Sequence, residues 1–410
     1  MTQSVLGSLT LGYRPLWNRS RELAGLQLFV DSDQASLVDA PHLLRTLQEL
    51  WSEIAPPLLL SIQSPAMLRD LLAHAPANAP WMEIRAEWLA DAAMQTQVLA
   101  AHARGLRLVW RGELGDVPQA EVAHCFERGL LSLPPEQAAL ALRAAQQRGA
   151  EQAATTVASP ILADQIYERI PNCVLMEHCL DQQGAWGLAG WPMEDVLHGR
   201  RNRQLAPGRR TLTRLIRAVD SDQSAEVVEQ ILSEEPVLAY RFLMHINSAA
   251  IGLRDGIESL RHGLMMMGYT SLGKWLVQQL PHATEDLNLE PIRMAMVLRA
   301  QLTDHLLDAG IDDELRREVY LSGLFSQLDL LMDEPLHVLL RRVPLSERIY
   351  NANITASGPY FPSLELARAM ETEDSAHIRA LCQTHDLSQE EVNRALLRTL
   401  ADLQAGQSST

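Results

Sequence analysis

The sequence predicts two domains of different class: an α/β barrel followed by an all-helical bundle. Three observations carry this expectation. The chain has 410 residues, too many for one ordinary core. Its first half alternates short apolar runs with helix-like segments at a spacing of roughly 25 residues, the pattern of parallel strands joined by crossovers. Beyond residue 211 strand signals nearly vanish, and apolar residues recur at helical spacing.

The strand candidates, in order, are residues 5–11 (VLGSLTL), 26–30 (LQLFV), 57–62 (PLLLSI), 81–85 (WMEIR), 106–110 (LRLVW), 129–133 (GLLSL), 154–158 (ATTVA) and 173–176 (CVLM). Helices are expected between them over His42–Ile54, Pro65–His74, Ala86–Ala103 and Pro135–Arg148. Eight strands over residues 1–195 predict a compact TIM-like (β/α)8 barrel. One connection departs from that plan. Only 14 residues separate Leu11 from Leu26, with Pro15 and Gly25 among them. A crossover helix needs about a dozen residues or more. Strands one and two are therefore expected to pair antiparallel, making the barrel irregular.

From Met193 to Thr211 the texture changes. Arg200, Arg201, Arg203, Arg209 and Arg210 crowd beside Gly199, Pro207 and Gly208. Residues 196–211 are expected to be an exposed linker, although a small basic cluster can also meet an anion or an acidic partner. Residues 212–401 follow as the helical domain. Asp222 or Ser224 can cap a helix carrying Val227, Val228, Ile231 and Leu232. Ser233 can cap the next, with Glu234 and Glu235 in its first turn and Pro236 tolerated there. Ser259 can start a helix with Leu260, Leu264 and Met267 on one stripe. Ala295, Leu298, Leu302 and Leu306 mark another. The run Met265-Met266-Met267 is expected to fill the core. Residues 402–410 are expected to be a disordered tail.

A formal net charge of -16 and a pI of about 5.3 argue against nucleic acid or anionic lipid as a partner. They are sufficiently explained by solubility. Of 35 basic residues only Lys274 is not arginine. Cys125, Cys173, Cys179 and Cys382 form no CxxC pair and no zinc spacing, so reduced, mostly buried thiols are expected. The N-terminal stretch lacks the pattern of a signal peptide. No apolar run approaches the ~20 residues that span a bilayer. A cytoplasmic location is the expectation.

Chemistry in a barrel belongs at the C-terminal ends of its strands. The candidates there are few. Gln63 follows the third strand, Glu83 and Arg85 lie in the fourth, Arg111, Gly112 and Glu113 follow the fifth, and Ser159-Pro160 follow the seventh. Glu83 and Glu113 alone do not make a dinuclear metal site; each reads equally well as a paired buried acid or a loop charge. The chain has no Gly-x-Ser-x-Gly elbow and no glycine-rich phosphate loop. The spaced glycines of Gly184 to Gly190 read as a barrel-closing loop. Asp304-His305 and His385-Asp386 are adjacent His/Asp pairs, with core or surface roles as the plainer reading.

The barrel half resembles the EAL domain family, whose active members hydrolyse cyclic di-GMP. The segment LGYRPLWNRSRELAGLQLFV is similar to that family's opening, with Tyr13-Arg14-Pro15 in place of Arg-Gln-Pro. The naming Glu-Ala-Leu would fall near Leu26–Phe29, where no acid stands. Ser61 or Gln63 takes the place of an asparagine ligand, and Glu83 matches a glutamate ligand. Arg111 and Gly112 stand at the double aspartate. The Lys-x-Asp element and the later glutamate, near Val157–Pro160, are missing, and AWGLAGWP resembles the final strand without its Gln-Gly.

The helical half resembles the HDOD domain. The likeness runs through Glu235-Pro236-Val237-Leu238, Asn247-Ser248-Ala249, Ile257 to Gly263, Met267-Gly268, GLFSQLDLLM (323–332) and RVPLSERI (342–349). HDOD domains are similar to metal-dependent HD phosphohydrolases, and GLFSQLD places Ser326 and Gln327 at their His and Asp. Neither side chain suits a divalent ion. Asp329 remains acidic but alone in that run.

These resemblances imply a non-catalytic bacterial signalling protein that acts on a protein partner through its HDOD domain. No residue is assigned as catalytic or as a metal ligand, no cofactor is expected, and cofactor-binding residues are left unassigned. The alternative is a sensor that binds cyclic di-GMP or another nucleotide at the barrel mouth without cleaving it. A residual phosphodiesterase is the third reading.

Overall fold

The computed structural model describes residues 4–34, 38–52, 54–147, 158–200, 206–248, 256–307 and 312–404. The chain divides into two compact units, Met1–Asp195 together with Ala369–Thr410, and Val196–Arg368.

The first unit is built on a closed barrel of eight strands in sequence order: β1 (Thr10–Trp17), β2 (Leu23–Asp31), β3 (Leu58–Ile62), β4 (Trp81–Arg85), β5 (Leu108–Glu113), β6 (Phe126–Ser132), β7 (Ile166–Glu168) and β8 (Gly187–Ala189). β1 runs antiparallel to both β2 and β8, as the short connection predicts, and the other neighbours pair parallel. The barrel is therefore mixed rather than uniformly parallel. Asn18 shapes the β1–β2 turn: its side chain accepts the Glu22 N–H at 3.0 Å while Arg21 sits at φ 61°. The Arg21 guanidinium then grips Asp181 with two bonds of 2.6 and 2.7 Å.

The helices of this unit begin with α1 (Ala40–Leu50), α2 (Pro65–His74), α3 (Ala92–Ala103), α4 (Ala120–Ala123), α5 (Pro135–Gln147) and α6 (Cys173–Glu177). Asp39, Ser64 and Asp91 cap the first three with side-chain oxygens. One strand expectation fails. Residues 173–176 form the start of α6, because Asn172 caps it by accepting the Leu175 N–H at 2.9 Å. The barrel closes instead through β7 and β8, three residues each, too short for a periodic pattern to announce. Of the expected strand at 154–158, residues 154–157 lie outside the described residues. Residues 5–8 form a 3-10 turn ahead of β1.

Residues 369–401, expected in the helical domain, belong to the barrel unit. α18 (Ser375–Thr384) is tied to the end of β2 by Arg379 and Ser375, which reach Asp31 at 3.0 and 2.6 Å. From α19 (Gln389–Ala401), the fully buried Asn393 accepts the Leu11 N–H at 3.2 Å and donates to the Leu6 and Leu9 carbonyls at 2.8 and 2.7 Å. An apolar helical stripe specifies burial but not the surface it is buried against, which is why the pattern alone misplaced this segment. Asp402–Gln404 form a short 3-10 turn; the rest of the expected tail lies outside the described residues.

The second unit is helical. It contains α8 (Arg209–Asp220), α9 (Ala225–Ser233), α10 (Pro236–Ile246), α11 (Leu260–Gln279), α12 (Glu290–Leu306), α13 (Asp313–Leu324), α14 (Leu328–Met332), α15 (Leu336–Arg341), α16 (Glu347–Tyr350) and most of α17 (Phe361–Met370); α7 (Met193–His198) precedes them. The linker expectation over 196–211 is thus crossed by the end of α7 and the start of α8, and 201–205 lie outside the described residues. Ser224 and Ser259 cap α9 and α11 as expected. The cap of α10 is Glu235 rather than Ser233: its carboxylate accepts the Leu238 N–H at 3.1 Å, with Pro236 at the first helical position. Met267 packs on the core, but Met265 and Met266 are exposed, against expectation, because at 3.6 residues per turn they lie off the face shared by Leu260, Leu264 and Met267.

All four cysteines are free thiols. Among the described residues no helix is long and apolar enough to cross a membrane.

Candidate functional site

Side chains two apart on a strand share a face, so each barrel strand sends alternate residues inward. One inward layer is apolar: Leu16, Leu59, Val109, Leu130, Ile166 and Ala189 cluster there with Trp81 and Trp186. Two residues further along four of those strands stand Ser61, Glu83, Arg111 and Glu168, at the C-terminal mouth. The sequence step that sets one layer of core thus also sets the polar layer above it.

Arg111 organises that layer. Its guanidinium donates to Glu168 at 3.0 and 2.9 Å and to Glu83 at 3.1 Å. Gln27, on β2, donates to Ser61 at 2.9 Å and to Glu83 at 3.0 Å, and the Ser61 hydroxyl donates to the same Glu83 oxygen. Arg14 reaches Glu168 at 3.4 Å and lies over the Phe29 ring, 4.9 Å from its centroid. Burial works to lower the affinity of Arg111 for its proton, but Glu83 and Glu168 outweigh it, so its pKa is raised. For Arg14 burial wins and the pKa is lowered.

The segment between α17 and α18 lies across this mouth. Glu373 accepts from Arg111 at 3.5 Å and from Arg169 at 3.4 Å. Burial opposes its ionisation, but Arg111, Arg14 and Arg169 together hold its pKa below the usual glutamate value. Gly12 makes room for this strap: a Cβ there would lie 2.2 Å from the Thr372 carbonyl oxygen. The remaining space beside it, lined by Gly12, Phe29, Asp31, Gln63, Thr372 and Glu373 among others, is a shallow recess.

The sequence singled out Glu83, Arg111, Ser61 and Gln63, and the first three do converge. Gln63 lies aside, accepting from Arg85 at 2.5 Å. Glu113 is exposed at the end of β5. Ser159 bonds the buried His178 at 2.8 Å, and His178 in turn meets Gln182 at 2.7 Å, which pins the loop before β7 to α6. Gln27, Glu168 and Glu373 were missed. Glu168 sits at the end of a strand the periodicity did not show, and Glu373 is 205 positions later in the chain. Gln27 alone carried a signal, a polar residue at the centre of an apolar strand.

In the second unit GLFSQLDLLM is not one helix. α13 ends at Leu324, Ser326 and Gln327 lie in the break, and α14 begins at Leu328. Gly323 lets α13 approach α12 closely, since a Cβ would lie 2.6 Å from the Ala300 Cα. Ser326 is buried and accepts from Arg299, itself 3 % exposed, at 3.3 Å. Arg368 donates to the Ser326 carbonyl at 3.3 Å. His305 points to solvent and Asp304 is half-buried, its pKa raised by burial; His385 and Asp386 lie in the turn after α18. Two polar residues of this unit that the sequence singled out, Asn247 and Glu235, serve as braces. Asn247 donates to the Leu243 and Ile257 carbonyls at 2.8 and 2.9 Å and accepts the Ile257 N–H at 2.7 Å. Glu235 lies 2.7 Å from Arg293 in a buried ion pair. Burial raises the pKa of Glu235, and Arg293 partly offsets this.

Residues 206–328 match the HDOD domain. The match covers the braces of Asn247 and Glu235 and ends at the break beyond Ser326. Among relatives, 153 residues are 25% identical to the uncharacterized protein YuxH of Bacillus subtilis, covering 36% of each chain. A further alignment of 170 residues is 22% identical to the cyclic di-GMP phosphodiesterase CdgJ of Vibrio cholerae, covering 42% of this chain and 39% of that one. The chain thus spans little more than a third of the length of either relative. Among solved structures, the MmoQ response regulator of Methylococcus capsulatus covers 48% of this chain and 99% of its own at 16% identity, with a TM-score of 0.37.

Proposed function

We propose that this chain is a non-catalytic signalling protein whose HDOD domain acts on a protein partner and whose barrel is a degenerate relative of EAL phosphodiesterases. The observation that carries the reading is Arg111, which stands between Glu83 and Glu168 at the barrel mouth. Hydrolysis of a phosphodiester by such a barrel relies on carboxylates that hold divalent ions and activate water. Here the two buried carboxylates are bridged by a guanidinium, which supplies positive charge yet offers no open coordination position. The donor set does not fit a pair of divalent ions, and no step through one is derived. In the HDOD domain, Ser326 and Gln327 occupy the break where the HD resemblance calls for His and Asp, and Arg299 again brings a buried positive charge to the spot. The match of residues 206–328 and the likeness to CdgJ support a place in signalling. The exposed Met265 and Met266 of α11 offer apolar surface for a partner.

The test is turnover of cyclic di-GMP with Mg²⁺ or Mn²⁺. No hydrolysis above that of a Glu83→Ala variant is expected; hydrolysis abolished by that substitution would overturn the reading. Affinity capture with the whole chain and with residues 196–368 should recover the same partner if the HDOD domain is the output module.

A second reading is favoured by Arg14, Arg111 and Arg169, which converge on the Glu373 carboxylate. That seat suits a phosphodiester anion, with Glu373 as its internal occupant. Calorimetry with cyclic di-GMP on the wild type and on Glu373→Gln distinguishes the two: micromolar binding by the variant supports a sensor, and silence from both leaves the scaffold.

A further inference from the structure

We propose that His102, His124 and Cys125 form a zinc site. His102 lies in the last turn of α3, while His124 ends α4 and Cys125 leads directly into β6. Their donor atoms, one from each residue, all lie within 4.8 Å of one another. The Cys125 sulfur is 3.7 Å from His124 Nε2. Two ligands of a tetrahedral zinc, bound at about 2.3 Å through sulfur and about 2.0–2.1 Å through nitrogen, are about 3.5 Å apart. One edge of the polyhedron is therefore already near its bound length. The imidazoles of His102 and His124 meet edge-on at 5.5 Å and both are exposed, so closing the longer separations takes only rotation of side chains at the surface.

The chemistry of the set is selective. Two imidazoles and a thiolate suit zinc and do not suit magnesium, calcium or manganese, which take oxygen donors. The exposure of both histidines leaves a fourth position to water. Cys125 is buried, and that burial raises its thiol pKa. Binding therefore replaces the thiol proton by the metal: the S–H bond breaks, an S–Zn bond forms, and the proton leaves to solvent. The site lies where β5 and β6 begin, at the end of the barrel away from the mouth. It would staple the end of α3 to the entry of β6. The sequence hides it because His102 is 22 positions from His124, a separation that belongs to no short ligand-pair motif.

The experiment uses tag-free, full-length protein freed of metal with a chelator and titrated with Zn²⁺ or Co²⁺. One metal per chain is expected, with a sulfur-to-cobalt charge-transfer band and the absorption of tetrahedral cobalt. Cys125→Ser should abolish the charge-transfer band, and His124→Ala, at an exposed position, should weaken binding by at least about 10-fold, as loss of a ligand must exceed the loss of an outer-shell partner. Zinc should raise the unfolding midpoint of the wild type and not that of His124→Ala. Substoichiometric metal, a cobalt spectrum without a thiolate band, or binding unchanged in His124→Ala would each overturn the proposal.

Discussion

Arg111 closes on Glu168 through two parallel hydrogen bonds, 3.0 and 2.9 Å, from Nε and Nη2 to the two carboxylate oxygens. This fork geometry is available to arginine and not to lysine, and it leaves Nη1 free to reach Glu83 at 3.1 Å. One side chain thus binds two buried carboxylates contributed by β4 and β7. In the helical unit Arg299 plays a comparable part at Ser326. Buried guanidinium groups hold together the polar regions of both units.

Arg111→Ala should therefore destabilise the barrel strongly. Glu83 and Glu168 are 1% and 4% exposed at their side chains, and Arg85 and Arg14 reach them only at 3.5 and 3.4 Å, so removing their shared cation leaves buried charge undercompensated. A loss of about 3–5 kcal/mol is expected from urea unfolding. The double change Arg111→Met, Glu83→Gln removes one charge of each sign, keeps Arg14 paired with Glu168, and should recover part of that loss. A single variant as stable as wild type would show that the network contributes nothing.

Glu373 gives the fold an acid-side dependence. Its pKa is held below the unfolded value by Arg111, Arg14 and Arg169. A carboxyl depressed in this way stabilises the folded chain above its unfolded pKa of about 4.3, and the contribution fades as pH falls through the lower folded value. The stability difference between wild type and Glu373→Gln should be constant from neutral pH down to about pH 5 and shrink below about pH 4. A difference that grew on acidification would have the wrong sign.

Asn393 fastens the end of the chain to the barrel. Its loss would strand the Leu9 carbonyl and the Leu11 N–H in a buried position and leave the Leu6 carbonyl only its 3.4 Å bond from the Leu9 N–H. Each buried group left unsatisfied costs about 1–3 kcal/mol. Asn393→Ala should lower stability by several kcal/mol, and the Leu11 amide should lose its protection from hydrogen exchange. Unchanged protection of Leu11 would mean that α19 is not held there.

Much of this was legible in advance. The β4 and α2 boundaries are legible to the residue, because the short apolar run WMEIR follows Pro80 and Ser64-Pro65 is an unambiguous helix start. The antiparallel β1 followed from chain length alone: too few residues remained for a crossover. What escaped was of two kinds. β7 and β8 are three residues each, shorter than any period can register, so Glu168 was lost with its strand. Glu373 and Asn393 meet the barrel across more than 200 and 380 positions of sequence, and no local pattern encodes a contact at that range. The metal-ligand resemblance found Arg111 and Ser326 as departures, but only coordinates could place a guanidinium at both.

The break in GLFSQLDLLM offers the sharpest test of the helical unit. If only the identities of Ser326 and Gln327 kept this segment from binding metal, Ser326→His with Gln327→Asp should restore a divalent site. The surroundings argue otherwise. Arg299 Nη1 lies 3.3 Å from the Ser326 hydroxyl and is buried, and Arg368 bonds the Ser326 carbonyl. A divalent ion there would face guanidinium charge in a medium of low effective dielectric, where repulsion at a few ångströms costs several kcal/mol. The double variant should therefore bind Mn²⁺ no tighter than about 1 mM by calorimetry, a ΔG of only about -4.1 kcal/mol. Adding Arg299→Met should improve that affinity by at least about 10-fold, since about 1.4 kcal/mol of relieved repulsion suffices. Micromolar binding with Arg299 in place would show that the site was never closed by its surroundings, only by two side chains.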